Sequence, residues 1–454
     1  DLQIFSELIR NYVHNYLEIA LDYESAGLHQ EASEILQIYT NSNSSVYPIV
    51  NYLLGAVYLE MGNKEKAAIS YKKATLASGD YCFPNRVEEM LILAKAVKFD
   101  SKDHNAYYYL GNYWMSKKEY TKARECWENA LLYQKNSPIV LRNLALIYYN
   151  KLHLKQNALV YLETAFSLDK TNSRLLMELD QLYKKLNKPS DFRLEFLQEN
   201  IDLVLERDDV YLEYITLLNI SGSHKEAIEL LLKRRFHPWE GGEGKVPEQY
   251  IIANLELAKK YIESKDYRSA ISHLSEARNY PENFGEGKLA GAAENDIYYY
   301  LAIAYRGLED ESNSLKYFEM AINGPQELGP ALYYNDQSPD KIYYQGKAFL
   351  ELGKEIQAME CFEKLIAYGE KHLNAAVKID YFAVSLPDLL IWEDDLKVRN
   401  KIHCNYLIGL GNMGKSDFQE ATSAFQKGLN ENIYHLGLIF HNKMIQILRS
   451  NNHA

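Results

Sequence analysis

The chain has 454 residues, of which 47% are apolar and 25% charged, and its formal net charge is −12. This balance excludes a disordered chain and leaves material for large cores. An acidic chain without a Lys/Arg-rich run is also unsuited to neutralising a phosphate backbone, so general nucleic-acid binding is set aside.

In chain order, the first clear element is a helix pair with Leu54, Gly55, Tyr58, Ala67, Tyr71 and Ala74 on one frame, preceded by a weaker copy from Ile19 to Leu36. An additional helix is predicted near 85–100, in "NRVEEMLILAKAVKFD". The frame returns at Leu110, Gly111, Trp114, Ala123, Trp127 and Ala130, and 34 residues later at Leu144, Ala145 and Tyr148. Weaker copies cover Leu179 to Phe196 and Tyr214 to Leu231. Strong ones restart at Leu257 with Ala258 and Tyr261, at Leu301 with Ala302 and Tyr305, at Gly346 with Phe349, and at Gly409 with Ala421 and Phe425. Self-similarity at such a period is the mark of a solenoid. Small residues at the eighth and twentieth positions let two helices approach, and the Leu and aromatic positions fill the groove between neighbours.

These residues resemble the tetratricopeptide repeat over nearly the whole chain. The resemblance implies an all-α, right-handed α-solenoid of about ten helix-turn-helix repeats, with loop insertions between repeats in the C-terminal half. Two segments are expected: an N-terminal array over 1–235 with the additional helix, and a C-terminal array over 236–454 with inserted loops and a capping helix, "LIFHNKMIQILRS". The 38 tyrosines, against 15 Phe and 4 Trp, point to helix contacts where a ring is buried while its hydroxyl reaches a polar edge.

The insertions carry the candidate site, since long ordered loops in a solenoid are usually functional. "HPWEGGEGK" from His237 and "YPENFGEGK" from Tyr280 stand 43 residues apart in the same inter-repeat position, and "PQELG" from Pro325 is a fainter third copy. Equivalent loops of a solenoid stack along one edge. A ledge is therefore expected from His237, Trp239, Glu240, Glu243, Tyr280, Asn283, Glu286, Tyr333, Tyr334, Asn335, Asp336 and Gln337, with Asp380 and Tyr381 as further candidates. Rings, amides and carboxylates of these types stack on and hydrogen-bond to polar rings such as sugars. The bland reading of the same loops is a Pro that ends a helix, Gly for backbone freedom, and a local Glu–Lys pair.

Glu240, Glu243 and Glu286 are the candidates for acid–base chemistry, because adjacent repeats would hold two carboxyls roughly 10 Å apart, near the separation inverting glycosidases use. A phosphate-binding loop is excluded: Trp239 and Glu282 stand where its first Gly belongs, and Val246 and Leu289 where Ser or Thr belongs. His237, His403 and Cys404 lack a partner at ligand spacing, and Cys82, Cys126, Cys361 and Cys404 form no C-x-x-C pair, so neither metal nor cofactor is expected. On the concave face, Asn112, Asn143 and Arg174 match part of a carboxylate clamp for peptide tails, but Tyr108 and Glu178 occupy its two remaining, basic positions.

The phrases "YCFPNRVEEM", "HPWEGGEGK", "YPENFGEGK", "YYNDQSPD", "IDYFAVSLPDLL" and "IHCNYL" together resemble the C-terminal half of large bacterial proteins in which a domain of unknown function precedes tetratricopeptide repeats. That resemblance implies a preceding β-sandwich of galactose-mutarotase type, linked to carbohydrate. The expected function is an interaction scaffold whose C-terminal loops dock a carbohydrate-active β domain of the same parent protein. The alternatives are loops that complete a glycoside hydrolase-like active site, and a free-standing peptide adaptor using the concave groove. No apolar run reaches transmembrane length and no signal pattern opens the chain, which points to a cytoplasmic protein; the start at Asp1 points to a missing upstream segment.

Overall fold

The computed structural model describes residues 4, 7–239, 241–330, 336–378 and 390–452. Among them lie twenty-three α-helices and one 3-10 turn, and no strand. The sequence boundary at 235/236 marks where the insertions begin, whereas packing divides the chain into compact units of residues 1–170 and 171–454.

The first unit contains α1 (Val13–Ser25), α2 (His29–Ser42), α3 (Pro48–Glu60), α4 (Lys64–Leu76), α5 (Val87–Phe99), α6 (His104–Ser116), α7 (Tyr120–Tyr133), α8 (Pro138–Asn150) and α9 (Lys155–Leu168). They form four pairs, with α5 as the additional helix after α4. The second unit holds α10 (Ser173–Lys185), α11 (Ser190–Glu199), the short α12 (Ile201–Leu205), α13 (Asp208–Ser221), α14 (His224–Lys233), α15 (Lys245–Glu263) and α16 (Tyr267–Glu276). It continues with α17 (Asn295–Gly307), α18 (Glu311–Ala321), α19 (Pro339–Glu351), α20 (Glu355–His372), α21 (Leu396–Gly414), α22 (Phe418–Glu431) and α23 (Leu436–Asn452). The chain is thus an α-solenoid of ten helix pairs among the described residues.

One contact recurs inside these pairs. A Cβ on Gly55, Gly111, Gly346 or Gly409 would come within 2.4, 2.3, 2.4 and 2.1 Å of the ring of Tyr71, Trp127, Phe362 and Phe425. Each ring lies sixteen residues after its glycine, so the first helix must be bare where the second lays an aromatic across it. Each turn between paired helices carries a left-handed residue, such as Gly62, Lys118, Asn187 or Glu309, before the next helix starts. Asn63, Asp266, Asp310 and Asp417 then accept a first-turn N–H. The tyrosine excess is used as expected: Tyr52 donates to Asp103 at 3.0 Å, Tyr148 to Glu128 at 2.6 Å and Tyr211 to the Leu230 carbonyl at 3.1 Å.

The second unit closes on itself. The loop before α21 returns to α10, where buried Trp392 donates to the Glu178 carbonyl at 2.9 Å and Asp394 pairs with Lys185. The loop after α22 returns to the turn between α10 and α11: Asn187 donates to the Glu431 carbonyl at 3.1 Å, and the Tyr434 hydroxyl donates to the Lys188 carbonyl. Behind this seam sits Arg193, 0% exposed. Its guanidinium donates to both oxygens of Asp180, at 2.9 and 2.6 Å, and to Glu213 at 2.9 Å, while its plane lies 4.5 Å over the Tyr434 ring. Burial works to raise the Glu213 carboxyl, but Lys184 and Arg193 hold it down at about 2. Removing Arg193 strands Asp180, itself almost fully buried, without its cation. Arg193→Ala is expected to destabilise the second unit by about 3–5 kcal/mol, read as a lower urea midpoint in its unfolding transition.

Candidate functional site: the paired loops and the filled groove

The first loop leaves α14 tied to α13. Asp208 accepts from the Arg234 guanidinium at 2.5 Å and from the His237 backbone N–H at 2.9 Å, and Arg234 stacks 4.5 Å from the Tyr211 ring. The second loop is pressed against it. The Phe236 N–H donates to the Asn283 carbonyl at 2.8 Å, and the Asn283 amide donates to the carbonyls of Leu231 and Arg234 at 2.8 and 2.7 Å. Buried Phe236, Phe284 and Tyr250 continue as edge-on rings. Gly285, at φ +72°, lets the backbone pass where a Cβ would stand 2.9 Å from the Phe236 carbonyl.

The repeated Gly-Glu-Gly-Lys is largely a self-clasp. Glu286 of the second copy accepts the Gly244 N–H of the first at 2.7 Å, and Glu243 accepts from Gly241 at 2.9 Å. Lys245 donates to the Gly241 carbonyl at 2.6 Å, and Lys288 to the Arg278 carbonyl at 3.1 Å, so each lysine ties its own loop back. Burial raises the Glu286 carboxyl; the Gly244 N–H opposes the rise and the Glu243 charge adds to it.

The expected ledge is therefore met in part by structural roles. Asn283 and Glu286 face protein backbone, whereas His237 and Glu243 are exposed and Trp239 and Tyr280 half-exposed, Trp239 lying over Gly242. Gln337 donates to the Pro325 carbonyl at 2.7 Å, and the charge of Asp336 acts on Tyr368 and His403. The third loop lies against α21, where buried His403 donates through Nε2 to the Gly329 carbonyl at 2.9 Å. Glu240, Tyr333, Tyr334, Asn335, Asp380 and Tyr381 lie outside the described residues. The clamp residues are engaged internally: Asn112 accepts from Trp127 at 3.2 Å and from Asn143 at 3.5 Å, and Arg174 pairs at 2.9 Å with Glu178, itself 0% exposed. Among the described residues no group of three His, Cys, Asp or Glu is placed to hold a metal, and no helix is long and apolar enough to cross a membrane.

A second arrangement went unread in the sequence. The last helix does more than cap the final pair; it lies along the first helices of the second unit. His441 meets the rings of Tyr343, Tyr344 and Tyr406 at 5.8, 6.1 and 5.7 Å, with its Nδ1 3.2 Å from the Tyr406 hydroxyl. The Tyr300 hydroxyl reaches Met444 Sδ at 3.3 Å, Phe440 faces His224, and Lys443 donates to the Ile220 carbonyl at 2.9 Å. Charges flank this line: Lys341 bridges Asp296 at 2.6 Å and Asp340 at 3.6 Å, and Lys259 pairs with Glu256 at 2.6 Å. A cavity of about 510 Å³ opens beside His224, lined also by Lys225, Lys260 and Tyr261. The signal was present in Phe440, His441 and Met444, which share one side of a helix.

No family model matches the chain. Among solved structures the chain is similar to YrrB, described as a TPR protein with an unusual peptide-binding site, at 16% identity over 51% of this chain and 90% of that one, TM-score 0.28. It is also similar to the P58(IPK) TPR domain, at 16% identity over 75% of this chain and 98% of that one, TM-score 0.25. A third similar structure, Naa15/Naa10 bound to HypK-THB, is 12% identical over 95% of this chain and 61% of that one, TM-score 0.35.

Two outcomes are expected. Asn283→Ala removes the donor shared by two helix-end carbonyls and should cost about 1–3 kcal/mol in urea unfolding. Burial lowers His224 and His435 to about 4 and lowers His441 as well. The groups facing them are Glu256, Lys259, Lys260 and Lys443 for His224, His403 and His441 for His435, and Asp340, Glu256 and Lys259 for His441. An unfolded histidine takes its proton near ~6.5, so the folded state is favoured above that pH and loses stability as pH falls toward about 4. Unfolding followed at about pH 7.5 and about pH 5, above the range where Glu213 protonates, should show the loss, and His441→Gln should reduce it.

Proposed function

We propose that this protein is an interaction scaffold that presents its paired inter-repeat loops to a protein domain. The observation that carries the reading is the mutual pinning of two exposed loops, Asn283 to the root of the first and Glu286 to Gly244. A surface held by backbone hydrogen bonds loses little freedom on binding, which favours affinity. His237, Trp239, Glu243 and Tyr280 are the contact residues in this reading, with the aromatic pair as anchors. Following the resemblance of the loop phrases, the partner is a carbohydrate-related β domain of the parent protein, with the sugar at or near the contact. The concave groove of the second unit is disfavoured as an open site for an extended peptide, because the chain's own last helix occupies it.

The test is calorimetric titration of the parent's β domain into this chain, with and without an oligosaccharide. A Trp239→Ala, Tyr280→Ala pair should weaken binding at least about tenfold while leaving the unfolding transition in place. Unchanged affinity in that pair would remove the loops as the docking surface. Turnover by the intact parent carrying Glu243→Gln and Glu286→Gln decides the acid–base alternative, and full activity in both ends it.

A further inference from the structure

In a chain of net charge −12, positive charge gathers around one cavity. The opening of about 510 Å³ is lined by Ser223, His224, Lys225 and Glu226 at the start of α14 and by Lys260 and Tyr261 of α15. Neither Lys225 nor Lys260 has a carboxylate within ion-pair distance among the described residues. Lys443 of α23 stands close by, its ammonium on the Ile220 carbonyl at 2.9 Å. Burial disfavours protonation of His224, His273 and Lys443, and neighbouring cations add to it: Lys260 acts on His224 and Lys443, and Lys225 on His273, with Glu256 opposing at His224 and Lys443. Cations that crowd without carboxylate partners favour an anion between them. The helix start points the same way. Ser223 gives its side chain to no first-turn N–H, where Asp266, Asp310 and Asp417 cap the later second helices with a carboxylate.

A separate sign of a ligand is His224 itself, 3% exposed. Its Nδ1 lies 3.1 Å from Asn219 Oδ1, and the Asn219 amide donates to the carbonyl and the side-chain oxygen of Gln249 at 3.0 and 3.1 Å. The Asn219 oxygen therefore accepts, and Nδ1 carries the proton. Nε2 is left as an acceptor without a hydrogen-bond partner among the described residues, on a side chain at the cavity wall. We propose that this cavity binds a small phosphate ester bearing hydroxyl groups. Lys225, Lys260 and the start of α14 hold the phosphate, His224 Nε2 accepts from a hydroxyl, and Tyr261 faces the carbon skeleton. Glu226 is the one carboxylate in the lining and works against the anion. The ten residues of α14, about 15 Å of helix, separate this site from the paired loops, so either assignment can fail without the other.

The experiment is calorimetric titration of the intact chain with glucose 6-phosphate, inorganic phosphate, acetate and glucose in turn, at low ionic strength. Saturable one-site binding of glucose 6-phosphate is expected, at least about threefold tighter than inorganic phosphate or acetate, with no binding of glucose. Lys225→Ala with Lys260→Ala should weaken it at least about tenfold, and Glu226→Gln should tighten it about twofold. Lys72→Ala with Lys73→Ala removes equal charge from the exposed face of α4 and should leave affinity unchanged, as should the Trp239→Ala, Tyr280→Ala pair. Absence of saturable binding overturns the proposal, and so does an equal loss in the two lysine pairs, which would mean general charge attraction. Acetate or inorganic phosphate binding as tightly as the ester overturns the assignment of the ligand class.

Discussion

Everything in the second unit depends on where Arg193 is buried. A guanidinium without access to water requires paired carboxylates, and Asp180 from the neighbouring helix and Glu213 from the next repeat supply them. Tyr434 covers the remaining face from the far end of the unit. An electrostatic cluster internal to one end of the array thus becomes the surface on which the other end lands. Trp392 and Asn187 add hydrogen bonds on either side of it, so a stack that could have stayed open is closed by a few polar contacts around one cation.

Closure has consequences for both candidate surfaces. The chain's last helix packs against the inner helices, where His441 and Met444 meet Tyr300, Tyr343, Tyr344 and Tyr406. Closure leaves the insertions between repeats on the outside, where two of them lock together through Asn283 and Glu286. The inner surface is lined by tyrosines and balanced ion pairs such as Lys341 with Asp296. The outer loops present His237, Trp239 and Glu243 on a backbone fixed by glycines at positive φ.

Much of this was legible residue by residue. The glycine and the aromatic sixteen positions later read directly as a helix contact, because only a missing side chain admits that ring. The additional helix near 85–100 appears as Val87–Phe99. The duplicated loops are neighbours, as stacked repeats require. What could not be read was the direction of Asn283 and Glu286. Their types suit ligand binding and backbone capping equally, and the choice depends on whether the carbonyls of Leu231 and Arg234 come within reach of Asn283 and the Gly244 N–H within reach of Glu286. The final helix was legible as a helix and as a terminator of the stack, but not as the occupant of the groove.

The sequence by itself determined the repeating unit: its period, its small-to-large contacts, its turns and its inserted loops, all set by interactions within some forty residues. The tertiary structure alone decided that the second unit closes, that its last helix turns inward, and that two motif residues serve the backbone rather than a ligand. The physical reason is range. Periodic burial is written in neighbouring residues, whereas Arg193 and Tyr434 meet across 241 positions, and nothing in either local stretch records how far the small rotation at each repeat will bring them together.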